Sequence, residues 1–205
     1  MNPMRSFFNE CAATWDEKNA PERSAVSERL IRGLGIEPGS RVLDVGCGTG
    51  LIIQWLLEAV GPAGRVTGLD IAEKMLIKAR EKYRAANLEF IHADIESAPF
   101  LDYSFDEVIC HNCFPHLADK DKAAREIFRI LKAGGRVVIC HNEGRQEVNA
   151  IHRRIGGRAW RDILPGEGRM RDIFETSGFR SIDIDDGGEW YVLQARKPLP
   201  FGCET

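Results

Sequence analysis

Two stretches of the 205-residue sequence concentrate side chains that could do chemistry: DVGCGTG at 44–50 and CHNCFPH at 110–116. In the first, glycines at 46, 48 and 50 let the backbone turn sharply and leave no side chain between loop and ligand. The loop follows a short apolar run and opens a helical pattern, so exposed N–H groups at the helix start favour an anionic group. Its spacing is GxGxG, not the GxGxxG of a dinucleotide loop. Asp44 stands just before it, where a carboxylate could receive a ligand ammonium through bridging groups. Asp70 closes the next strand pattern, where two oxygens could accept from both hydroxyls of a ribose. The plainer alternative for Asp70 is a cap on the following helix.

A ligand with ammonium, carboxylate and adenosine parts fits this layout, and S-adenosylmethionine is such a ligand. The second stretch is less specific. FDEVICH ends in Cys110-His111, RVVICH ends in Cys140-His141, and His116 and His152 follow these two strand ends. Four of the five histidines therefore gather after adjacent strands, on the side where strand ends face a ligand crevice. Three readings stay open. His111, His116 and His141, with His152 or Cys113, could hold a metal. One histidine, His116 or His141 foremost and His111 behind them, could be a general base that takes a proton from a bound acceptor. Or all four are hydrogen-bonded packing groups that shape a polar pocket. The CxxC at 110–113 adds little to the metal reading, because strand alternation sends Cys110 and His111 to opposite faces.

The elements that must position these residues alternate along the chain. RVLDV (41–45), RVTGLD (65–70), LEFIHAD (88–94), FDEVICH (105–111) and RVVICH (136–141) read as buried strands. TGLIIQWLLEAV (49–60), AEKMLIKAREKYRAA (72–86) and DKDKAAREIFRILKAGG (119–135) read as helices, the last closed by glycines. Repeated β-α units imply a parallel sheet with helices on both faces. The finish differs: FRSIDIDDGGEWYVLQARK (179–197) reads as two strands joined across Gly-Gly, an antiparallel hairpin. The expected architecture is one α/β domain over 1–205, a doubly wound, mostly parallel, seven-stranded sheet ending in that hairpin.

In the order EPGSRVLDVGCGTG, VTGLDIAEKML, FIHADIESAPFLDYSFDEVIC and EIFRILKAGGRVVI, residues 38–141 resemble the class I S-adenosylmethionine-dependent methyltransferases. The resemblance implies a Rossmann-like methyltransferase fold with S-adenosyl-L-methionine as cofactor. It places Asp44, Gly46, Cys47, Gly48 and Gly50 around the methionine part. Asp70 would hold the ribose, Ile71 and Met75 would flank the adenine, and Asp94 would accept from the adenine amino group with Ile95 beside it. Cys110 and His111 would line the wall below. Met75 as core and Asp94 as a turn residue are the plainer alternatives.

The family also suggests that residues 1–34 cover the cofactor and acceptor, with Phe8, Trp15 and Asp16 excluding water. Residues 142–168 are longer than a usual crossover and read as a lid-like insertion with a helix over 145–155. Its arginines at 145, 153, 154, 158 and 161 outnumber Glu143, Glu147 and Asp162, which would suit a carboxylate or phosphate on the acceptor. A solvated helix face explains them as well. Trp15, His116, His141, Arg145 and His152 are the acceptor-binding candidates.

Composition narrows the class. Hydrophobic residues make up 43% and charged residues 29%, with net charge −3 and pI near 6.0, so no general nucleic-acid footprint appears. No apolar run reaches the ~20 residues that span a bilayer, and the N-terminus lacks a secretory pattern. Six cysteines with several in strands suit a reduced, cytoplasmic protein, monomer or homodimer. The expectation is methyl transfer to a small polar, possibly anionic, metabolite, with no nucleic-acid or membrane partner. Rival expectations are a metal-binding or metalloid-methylating protein using the 110–152 cluster, a non-catalytic cofactor-binding protein, and a nicotinamide oxidoreductase.

Overall fold

The computed structural model describes residues 3–18, 21–155 and 162–200. The chain divides into two compact units, Met1–Asp94 and Ile95–Thr205.

In the first unit, helices α1 (Pro3–Cys11) and α2 (Pro21–Gly33) precede strand β1 (Arg41–Val45). Helix α3 (Ile53–Val60), β2 (Arg65–Asp70), α4 (Glu73–Lys82) and β3 (Leu88–His92) follow. Strands β1 and β2 are buried at every residue but the first, as a parallel strand covered on both faces requires. They pair in parallel, Arg41 opposite Arg65, and β2 pairs with β3, Asp70 opposite His92. Helix α3 begins four residues later than its apolar pattern predicts. Gly50 donates to Cys47 O (2.9 Å) and Ile53 to Gly50 O (3.2 Å), so residues 47–53 form tight turns instead of an α-helical turn. Helix α4 also stops early, at Lys82, because Tyr83 is extended (φ −122°, ψ 128°).

The second unit holds β4 (Phe105–His111), α5 (Lys120–Ile130), β5 (Leu131–His141), α6 (Arg145–Ile155), α7 (Glu167–Thr176), β6 (Arg180–Asp185) and β7 (Tyr191–Arg196). Asp119 caps α5 by accepting from the Lys122 amide at 2.9 Å, and Ala123, Ile127 and Ile130 form its buried stripe. The helix expected to run to 135 ends at Ile130, and Leu131–Gly135 join β5 instead. The reason lies far along the chain: Lys197 Nζ donates to Phe128 O (2.6 Å) and Leu131 O (2.8 Å), taking carbonyls at the helix end. Strands β4 and β5 are parallel, while β7 is antiparallel to both β5 and β6. The hairpin turn lies at Gly187-Gly188, as expected, with Asp185 accepting from the Gly187 amide (3.1 Å) and from Trp190 Nε1 (3.1 Å).

The sheet has seven strands in the order β3-β2-β1-β4-β5-β7-β6; the β1–β2, β2–β3 and β4–β5 pairs are parallel, and β7 runs antiparallel to both its neighbours. Among the described residues no helix is long and apolar enough to cross a membrane.

Candidate active site

Strand β1 delivers Asp44 to the edge of the glycine loop. Its side chain is 1% exposed, and neither oxygen has a hydrogen-bond partner. A buried carboxylate without partners is costly in its ionised form. Burial, with the Asp70 charge adding to it, pushes the Asp44 carboxyl well above the usual range. A cation bound there would let Asp44 ionise, and the ammonium of S-adenosylmethionine would meet that demand.

Gly46, Gly48 and Gly50 all adopt positive φ (67°, 55° and 90°), which side chains on L-residues resist. The amide of Gly46 donates to Leu69 O (2.8 Å) and that of Cys47 to the same oxygen (3.0 Å), which ties the bend to β2. At Gly50 a Cβ would meet the Tyr83 ring at 2.8 Å, so that ring needs the bare backbone. Asp70 fastens the loop from β2. Its Oδ2 accepts from the Gly48 amide at 2.8 Å and its Oδ1 from the Ala72 amide at 2.7 Å. Asp70 does not cap α4 in the strict sense, because Ala72 is itself the N-cap and takes no side-chain cap bond; Asp70 closes the turn before the helix, and each of its oxygens keeps a second lone pair. Beside it, Ile71 offers its carbonyl to the His92 ring (2.9 Å), and Asp94 is half-buried past the end of β3. Cys47 is buried, and burial pushes its thiol far up, so it packs as a neutral group.

The N-terminal segment lies against this loop. Trp15 Nε1 comes within 3.9 Å of a Cβ built on Gly48. Asp16 accepts from the Thr49 hydroxyl (2.6 Å) and pairs with Lys82 Nζ (2.7 Å). Phe8, Cys11 and Trp15 pack on a buried cluster of Ala12, Ala72 and Met75, which places Met75 in that packing layer. Arg5 and Asn9 both reach Glu73, at 3.0 Å and 2.8 Å, and anchor α1 to the start of α4.

In the second unit, Ile95 is buried at the start of a short 3-10 turn, and Cys110 is fully buried in β4. His111, at 7% exposure, lies 2.9 Å from Asn142 Oδ1 and is pushed down to about 4 by burial, the Asn142 bond opposing it. His141 is opposite Tyr191 in the β5–β7 register, the rings 6.3 Å apart. His141 Nε2 and the Tyr191 hydroxyl are both buried without a partner. Burial and the neighbouring histidines push His141 well below its ordinary value. His116 Nδ1 sits 2.9 Å from Asp162 Oδ2, and its ring lies 4.9 Å from that of His152. His152 is buried, its Nδ1 bonded to Asp162 O.

The four expected histidines thus share one neighbourhood. Among the described residues, no group of three or more His, Cys, Asp or Glu side chains is placed to hold a metal ion, and the five described cysteines are free. Arg145 does not stand open to a ligand: its Nε pairs with Asp186 (3.2 Å). Arg154 pairs with Glu147, while Arg158, Arg161 and Cys203 lie outside the described residues. The sequence reading did not name Thr49, Asn142, Asp162 or Tyr191 as site residues. Thr49 was within reach, being inside the glycine loop; the others lack any local pattern.

Comparison with known proteins agrees with this geometry. Residues 43–139 match the model of a methyltransferase domain family. The demethylmenaquinone methyltransferase of Staphylococcus aureus (strain Newman) is 34% identical over 144 residues. That alignment takes in 70% of this chain and 59% of the relative, so the chain spans less than two thirds of that protein's length. An S-adenosylmethionine-dependent methyltransferase from Aquifex aeolicus superposes with TM-score 0.75 at 23% identity, covering 91% of this chain and 98% of that one. A chain of the Haloferax volcanii complex between the Trm112 methyltransferase activator and a methyltransferase gives TM-score 0.77 at 23% identity, covering 93% and 97%. With this strand order, a methyltransferase-domain match over residues 43–139 and this relative, the chain belongs to the class I S-adenosylmethionine-dependent methyltransferases.

Proposed function

We propose that this chain transfers the sulfonium methyl of S-adenosylmethionine to a small polar acceptor whose attacking atom carries a proton. The observation that carries the cofactor assignment is Asp44, a buried carboxylate with both oxygens unpartnered just ahead of the glycine loop. When bound, the cofactor supplies an electrophilic methyl group whose C–S bond breaks with its electron pair going to sulfur. Asp44 and Asp70 would bind and orient the cofactor, and Trp15 with the Asp16–Thr49 contact would exclude water. His111 and His141 are held neutral by burial and would shape the acceptor's surroundings. His116, the histidine with a carboxylate against its ring, is the best supported base.

An anionic acceptor gains little support, because Arg145 is already paired with Asp186. The relative named for demethylmenaquinone favours a second reading, a quinone-type acceptor, which neutral histidines would also tolerate. Calorimetry with S-adenosylmethionine and its demethylated product tests the first part; a folded protein that binds neither would end the proposal. A radiolabelled methyl-transfer screen setting detergent-dispersed demethylmenaquinone against small polar metabolites separates the two acceptor classes.

A further inference from the structure

We propose that Asp162 is a positioning residue that fixes the tautomer of His116 and steadies its charge while His116 takes the acceptor's proton. The inference rests on the methyltransferase reading above and adds a residue to it.

His116 ends a 3-10 turn after β4, and its amide donates to Cys113 O at 2.9 Å. Lys120 Nζ holds that turn by donating to Pro115 O (2.9 Å) and Leu117 O (3.0 Å). Asp162 arrives from 46 residues away and is held as firmly. Its carbonyl accepts from His152 Nδ1, and two residues on, Leu164 exchanges two hydrogen bonds with the Asn149 side chain, at 2.8 Å and 3.0 Å. His152 and Asn149 both lie on α6, so that helix sets the Asp162 carboxylate against the His116 ring.

A carboxylate accepts and does not donate, so the hydrogen between Asp162 Oδ2 and His116 Nδ1 belongs to the ring. The lone pair is then on Nε2. In the transfer, the acceptor's X–H bond breaks, an Nε2–H bond forms, and the electron pair left on X attacks the methyl carbon. Asp162 stays ionised and faces the new imidazolium, as the orienting acid does in a nucleophile–base–acid arrangement. Among the described residues, His141 and His152 each oppose a positive His116. Asp162 is the acid placed to offset them, and its side chain is only 19% exposed.

The test uses full-length protein with 15N-labelled histidine at pH 8, the His116 signals assigned with His116→Gln. Wild type should show His116 with its hydrogen on Nδ1. Asp162→Ala should move the hydrogen largely to Nε2, and Asp162→Glu should restore the original pattern. In parallel, acylation of His116 by diethyl pyrocarbonate, read by mass spectrometry against the exposed His92, should slow by about threefold or more in Asp162→Ala. A merely structural Asp162 would do the opposite, since a loosened segment exposes His116 and speeds its acylation. An unchanged tautomer overturns the proposal, and so does a rate that is steady or rises. If Asp162→Ala does not fold, the isosteric Asp162→Asn carries the same two measurements. Calorimetry of S-adenosylmethionine on wild type separates the failures: loss of binding there sinks the methyltransferase reading and leaves the tautomer result standing.

Discussion

The amide of Gly48 donates to Asp70 Oδ2 at 2.8 Å across 22 residues, so the carboxylate expected to hold a ribose also holds the loop in place. Its other oxygen takes the Ala72 amide at 2.7 Å. Hydrogen bonds to a charged group are worth about 1.5–3 kcal/mol each, and a buried amide left without its partner adds a desolvation cost. Asp70→Ala should therefore lower stability by roughly 2–4 kcal/mol and weaken cofactor binding at the same time. Asp70→Asn keeps one acceptor and should fall between. Denaturant unfolding with calorimetry checks both; wild-type stability in Asp70→Ala would mean that the loop is held by its other bonds alone.

Asp44 gives the free protein a distinct pH response. Its carboxyl is raised in the folded chain, so the native state keeps a proton that the unfolded chain releases above about pH 4. The resulting stability is full below that pH and is lost as pH rises through the native value. Asp44→Asn should flatten this decline without the cofactor, while weakening S-adenosylmethionine by roughly tenfold or more. Cofactor binding to wild type should release a proton at any pH where the free protein's Asp44 still holds one, visible as a calorimetric heat that changes with the buffer's ionisation enthalpy. Buffer-independent heat would show that Asp44 does not ionise on binding.

How far the sequence discloses this site depends on distance along the chain. The bend from Asp44 to Gly50 is legible locally, in three glycines behind an apolar run, although Leu69 and Asp70 on β2 hold it in the fold. Both Cys-His strand ends were legible because a strand's direction says which end faces the ligand side. The end of α5 was not, because Lys197 decides it from 66 residues away, overriding a pattern that continued helical to Gly135. Asp16 reaches Thr49 across 33 residues and Asp162 reaches His116 across 46. Acids in irregular segments look alike until the fold chooses their partners. Arg145 misled in the opposite way: its charge was plain, but Asp186, which takes it up, lies on the far hairpin.

The contact between Asp16 and Thr49 should govern how long the cofactor stays. Asp16 pairs with Lys82 on a partly exposed surface, where such pairs contribute little to stability. Asp16→Ala should thus cost under about 1 kcal/mol in unfolding. It should nevertheless loosen Trp15 over Gly48, raising the dissociation rate of S-adenosylmethionine by about fivefold with a smaller change in association. Stopped-flow tryptophan fluorescence reads both rates. Equal dissociation rates would mean that the N-terminal segment does not cover the bound ligand.

Lys197 gives a test of the second unit's framework. Its ammonium, in a residue 7% exposed, donates to Phe128 O and Leu131 O and lies over the Tyr103 ring at 4.2 Å. Lys197→Met keeps most of the volume but strands those carbonyls, at a cost of about 1–3 kcal/mol. Hydrogen exchange should rise at the end of α5 while the glycine loop stays protected. Uniform exchange through the chain would deny Lys197 its local role.

His111 sets the acid limit. In the folded chain it is pushed down to about 4 by burial, so between pH 4 and about 6.5 the unfolded chain binds a proton that the native ring refuses. Stability from this source is complete above about pH 6.5 and drains away as pH falls towards 4, opposite in sign to the Asp44 contribution. His141, lowered by the same burial and by its histidine neighbours, acts in the same direction. Replacing His141 with Phe removes a buried ring nitrogen that has no partner, so it should leave neutral-pH stability within about 1 kcal/mol and make the acid limb shallower. His111→Phe should flatten that limb too, but it also strips Asn142 of its 2.9 Å partner, so it should cost about 1–3 kcal/mol at neutral pH. Urea unfolding at half-unit pH steps from 4.5 to 7.5 separates the two variants, and an acid limb as steep as wild type in both would show that neither ring resists protonation.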